Sequence, residues 1–160
     1  MGMFDSLMIE IDETKIELQT KLFDNRLGYY HVGDVVAGAT TGIRVYFDNV
    51  WFDSQNKMVY VSEKATRSYT VFVVLAHSVF TDYVIVNQEL ETIVIESRIK
   101  ELQYFWNDSG HLLNRWLEFI AKKQSKTQKL QKQLNMVDSA IEYARKKRAG
   151  EQPAKINARR

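Results

Sequence analysis

The chain of 160 residues has no cysteine, which excludes disulfides and thiolate metal sites outright and fits a reducing compartment. It has a single proline, Pro153, and only seven glycines, which leaves little material for long linkers. It also lacks a long apolar run. The longest, residues 71–76, is far short of the about 20 residues a membrane span needs. The opening Met1-Gly2-Met3-Phe4-Asp5 carries an acid where a signal peptide would carry a base, and no apolar run follows. These absences predict a cytoplasmic protein that makes no membrane contact. Glycine loops of the Walker or dinucleotide type and serine-nucleophile signatures are missing as well. No small-molecule cofactor is therefore expected.

What is present is ordinary for a folded chain: 45% hydrophobic and 26% charged residues. The charge is unevenly placed. Residues 1–121 hold 10 Lys/Arg against 17 Asp/Glu, a net −7, and residues 122–160 hold 12 against 3, a net +9. A basic C-terminal region on an acidic body can bind anionic partners or the body of a neighbouring copy.

Three regions follow from the patterning: a β-rich domain over 1–87, a helical arm over 88–148 and a disordered basic tail over 149–160. In the first, residues 7–11 and 15–20 alternate apolar and polar around Asp12-Glu13-Thr14, which predicts a hairpin. Turns are expected on either side of Tyr29-Tyr30-His31, and a loop over 37–42. Further strands are predicted at 43–47, 50–52, 58–62, 68–76 and 79–86. Val71-Phe72-Val73-Val74-Leu75 is apolar on both faces, so it should be a central strand covered on each side. The fold class is α+β: a small antiparallel β-meander or barrel, followed by a long C-terminal helix or helical hairpin with coiled-coil heptads.

The heptad stripe runs over 99–144. With Ile99 at position a, the a sites are Ile99, Trp106, Leu113, Ile120, Thr127, Leu134 and Ile141. The d sites are Leu102, Ser109, Trp116, Lys123, Leu130, Val137 and Ala144. Eleven of these fourteen are apolar, which predicts that the segment seeks a helical partner. Over 99–120 the flanking Phe105, Leu112, Leu117 and Phe119 widen the apolar face, so this half should pack on the β-domain or in a multi-helix core. A helix is expected from about Glu89, with Thr92-Ile93-Val94-Ile95 as a last strand the alternative. Two segments can break the helix: Asn107-Asp108-Ser109-Gly110-His111, and Gln124-Ser125-Lys126-Thr127-Gln128.

Met3-Phe4-Asp5-Ser6-Leu7, Glu17-Leu18-Gln19-Thr20-Lys21 and Tyr30-His31-Val32-Gly33-Asp34 carry one family likeness. In these first 35 residues or so the chain resembles small phage and prophage accessory proteins. Their members begin Met-Phe-Asp, pass a Cys-x-x-Cys-Gly zinc knuckle and return along a second strand toward Gly-Asp. The resemblance implies a phage-encoded accessory protein acting in a bacterial host. Asp12-Glu13-Thr14 stands in the place of the knuckle and brings no thiolate, so the implied zinc site is absent and packing must hold the ribbon.

His31, His77 and His111 lie far apart with no second ligand at a useful spacing. Asp34, Asp48, Asp53 and Asp82 show no convergence, although a hydrolase or nuclease could assemble from distant acids such as Asp34 and Asp48. The aromatics of 29–72 could form a base-stacking platform, but too few basic residues are interleaved with them. The leading expectation is therefore a non-enzymatic interaction protein that forms a homo-oligomer or binds a host protein. Ile99, Leu102, Trp106, Leu113, Trp116, Ile120, Leu130, Leu134 and Ile141 would carry that contact. The alternative is nucleic-acid binding through Arg145, Lys146, Lys147, Arg148, Lys155, Arg159 and Arg160.

Overall fold

The structure, a computed structural model, describes residues 2–150. The tail expected over 149–160, with Lys155, Arg159 and Arg160, therefore lies outside the described residues except for Ala149 and Gly150. The chain is α+β: a curled, mainly antiparallel β region is followed by a long C-terminal helix. Two compact units divide it, Met1–Trp116 and Leu117–Arg160.

The first sheet begins with the hairpin β1 (Asp5–Ile11) and β2 (Thr14–Thr20), whose register sets Leu7 opposite Leu18 and Ile9 opposite Ile16. Their alternation sends the apolar set to one face, as a period of two requires. The connection is only Asp12-Glu13, with φ of 49° and 66°, the positive values of a turn that matches strand twist. β3 (Tyr29–Tyr30) joins the other side of β1 in parallel, where the sequence suggested only flanking turns. Fully buried Asp5 makes this possible. Its carboxylate accepts the backbone N–H groups of Asn25, Arg26 and Gly28 at 2.9, 2.9 and 3.0 Å, which ties the return loop to the start of β1.

The second sheet has the order β5-β4-β6-β7: β4 (Ile43–Phe52), β5 (Met58–Val59), β6 (Arg67–Ala76) and β7 (Val79–Val86). β4 is one strand of ten residues running through Asp48-Asn49, where two strands were expected. Asp48 is exposed and Asn49, half-buried on the opposite face, accepts from the Thr70 hydroxyl at 3.3 Å; the pair interrupts the alternation without interrupting the ladder. The strand expected over 58–62 is shortened to two residues, and a 3₁₀ turn follows at Ser62–Lys64. Between Val74 and Leu75 the β6–β7 register shifts: Val74 faces Asp82 while Leu75 faces Phe80, so Thr81 is an extra, bulged residue.

β6 is buried from Tyr69 to Ala76 and serves two cores. Tyr69, Val71, Val73 and Leu75 meet Leu7, Ile9, Ile11, Ile16 and Leu18 of the first sheet. Phe72, Val74 and Ala76 point the other way, toward α1 (Thr92–Trp106) and the first turns of α2 (Ser109–Arg148). The hairpin tip is fastened to the second sheet by Asp12, which accepts from the Tyr69 hydroxyl at 2.8 Å and lies 3.6 Å from the Arg67 guanidinium. Partial burial and the Asp12 carboxylate together push the Tyr69 hydroxyl above its ordinary pKa.

Residues 92–95 are helical, so the strand alternative fails there. The chain breaks at the first of the two weak segments: α1 ends at Trp106, and Asp108 caps α2 by accepting from the N–H groups of Gly110 and His111 at 2.8 and 3.3 Å. The second segment, Gln124 to Gln128, is uninterrupted helix, so no hairpin forms there. Among the described residues no helix is long and apolar enough to cross a membrane.

Candidate interaction surface

The sequence-predicted contact residues separate into two sets. Trp106 is buried, and Ile99, Leu102 and Trp116 are half-buried, all against the core that Phe72 and Val74 build. On α1 the buried line is Ile95, Ile99, Leu102 and Trp106, spaced four, three and four residues apart, which is one face of a helix. After the break the face changes: Leu112 is buried while its neighbour Leu113 is exposed. The stripe is therefore not one surface across both helices, because the Asn107-Asp108 break resets its phase. Leu112 and Phe119, both buried, were visible in the sequence as flanking apolar positions but not as the inward ones.

The start of α2 is held by the bulge. Arg115 Nε donates to the Thr81 carbonyl at 3.1 Å, and Trp116 Nε1 donates to the Thr81 hydroxyl oxygen at 3.4 Å. Thr81 in turn donates its hydroxyl proton to the Val79 carbonyl at 3.0 Å. The His77 ring meets Trp116 edge-on at 6.0 Å. Partial burial pushes the Asp82 carboxyl above the ordinary carboxylate range, against the backbone N–H of Tyr83 and the Arg115 guanidinium 3.8 Å away.

The second set is exposed. Leu113, Ile120, Leu130, Leu134 and Ile141 keep 55, 51, 56, 55 and 44% of their surface open, and Leu117 and Val137 keep 60 and 55%. From Ile120 to Arg148 every residue of α2 is exposed except half-buried Tyr143. The spacing 130, 134, 137, 141, 144 alternates four and three, which aligns these side chains along one flank of a continuous helix. Arg145, Lys146, Lys147 and Arg148 occupy the last turn, where cations complement the helix dipole, and Lys146 lies 3.7 Å from Glu142.

Elsewhere the polar groups serve local structure. Asp34 accepts from the His31 N–H at 2.8 Å, and the His111 ring stacks on Phe105 at 4.1 Å. Asp48 borders a cleft of about 250 Å³ with Glu17, Gln19, Trp51 and Tyr60, and desolvation there raises its carboxyl pKa over the opposing effect of the Asn49 N–H. Asp48 also borders a second cleft with Phe23 and Tyr46, and Asp34 lines neither. Among the described residues no three His, Asp or Glu side chains are grouped to hold a metal ion. Of the aromatics that could stack bases, Phe52, Tyr69 and Phe72 are buried, while Tyr29, Phe47 and Tyr60 are exposed. In comparisons with known proteins, no family model, no curated protein and no solved structure matches this chain.

Proposed function

We propose that this chain is a non-enzymatic interaction protein that self-associates through α2. The observation that supports the reading is the heptad-spaced line Ile120, Leu130, Leu134, Val137 and Ile141, exposed along α2 among the described residues. Helices in water draw most of their stability from burying an apolar face, and a 40-residue helix with an open one gains by pairing. Each large apolar side chain fully buried there contributes roughly 1.5–3 kcal/mol. A phage-encoded accessory role is the context that the N-terminal resemblance implies. It rests on residues 3–35 alone.

The test is solution mass by light scattering on Leu130→Asp/Leu134→Asp beside the parent. The parent is expected as a stable oligomer at low and high salt. The double variant is expected to lose that mass while keeping the far-ultraviolet β signal and thermal transition of Met1–Trp116. A monomeric parent would sink self-association and turn the search to a host protein as the occupant of the stripe.

A further inference from the structure

Self-association leaves the direction of pairing open, and the residues of α2 decide it. Resting on that reading, we infer that α2 pairs antiparallel with the same helix of a second copy, about a two-fold axis at the level of Lys132. A two-fold contact is self-complementary: if one residue faces another, the reverse pairing occurs as well. In an antiparallel pair an a residue meets a d residue of the other helix. Here that gives Leu130 facing Leu134, Thr127 facing Val137, Lys123 facing Ile141 and Ile120 facing Ala144, each layer occurring twice.

The flanks agree with this register. Gln131 and Gln133 each meet their own copies, Gln124 meets Asp138, and Lys126 meets Ala140. No two like charges are opposed. The Lys123 ammonium lies one helical turn from Asp138 of the second copy, which flanks the seam. An in-register parallel pair does the reverse. It stacks Lys123 on Lys123 in the seam and sets the two Arg145–Arg148 clusters side by side.

The charge distribution points the same way. Residues 1–116 hold 10 Lys/Arg against 16 Asp/Glu, net −6, and residues 117–160 hold 12 against 4, net +8. Antiparallel pairing brings the basic last turn of each α2, 145–148, to the level of 116–119 of the other, where the acidic part of the chain ends and Glu118 stands.

A cysteine-free chain allows a direct test. Thr127→Cys and Val137→Cys are made singly in the full chain, oxidised alone and as an equal mixture, and read on non-reducing gels beside light scattering of the parent. In the antiparallel pair, copies of the same position lie ten residues apart along the axis, about 15 Å, beyond disulfide reach. The expected result is a crosslinked dimer in the mixture alone, approaching about half of the protein, since half of random dimers carry both substitutions. Self-crosslinking of either single variant would establish the parallel arrangement and overturn the inference. Absence of crosslinking everywhere, with the parent still dimeric, would overturn this register. A monomeric parent would instead remove the self-association on which the inference rests.

Discussion

β6 and the distal part of α2 are both rich in large aliphatic side chains, and they meet opposite fates. Val71, Phe72, Val73, Val74 and Leu75 are all at most 4% exposed, whereas Leu130, Leu134, Val137 and Ile141 are 44–56% exposed. Hydrophobicity is common to both; what differs is whether the chain folds a second layer over them. β6 has neighbours close in sequence, β4 on one side and β7 across the two-residue turn His77-Ser78, and sheet and helix layers above and below. α2 runs on for 40 residues without reversing, so no described residue of the helix turns back to cover the line.

The same substitution at the two places sharpens this contrast most. Leu75→Ala should cost about 2–5 kcal/mol and be independent of protein concentration, because it opens a cavity among β1, β2 and β6 side chains. Leu134→Ala should cost little in dilute solution and more as concentration rises, since its partner would be another molecule. Thermal unfolding followed over a hundredfold range of concentration checks both, and a concentration-independent loss at Leu134 would break the contrast.

A smaller effect, of opposite sign, is expected at the β1–β2 turn. Glu13 has φ of 66°, a value glycine adopts without cost, and its side chain is exposed. Glu13→Gly should raise stability by about 0.4–1 kcal/mol in chemical denaturation, with no change in α2 self-association.

The smallest effect concerns Asp48. Its raised pKa means the folded chain holds this proton at pH values where the unfolded chain has released it, so stability is lost as pH rises through the folded pKa. Asp48→Asn should therefore gain a little stability at pH 7 and nothing below about pH 4, where both states hold the proton. An equal gain at both pH values would point to packing instead of charge.

Much of the β region was legible because its signals are local. Alternation at 7–11 and 15–20 located the first hairpin, and the two-sided apolar run located β6 with the layers that cover it. What was not legible depends on distant partners. Tyr29-Tyr30 carries no sign of pairing in parallel with β1; the determining group is Asp5, more than twenty residues earlier, collecting three loop N–H groups. Strands are expected at 43–47 and 50–52, yet β6 pairs with Asp48 and Asn49 between them as with any strand residue. On the helices, the seven-residue repeat of the sequence continues through Asn107-Asp108 as a single axis would require. The Asp108 cap begins a new helix instead, so the inward face moves from Leu113 to Leu112. Beyond Ile120 the helix runs on without such a break, and the residues of the repeat there are exposed.

The alternation of β6 between two cores has a consequence for how Met1–Trp116 comes apart. A strand lining only one core could stay folded while the opposite layer melted away. Here, releasing the first sheet bares Val71, Val73 and Leu75 on the strand that holds α1 in place through Phe72 and Val74. The two layers share a single backbone as their common wall, so loosening either one weakens the support of the other.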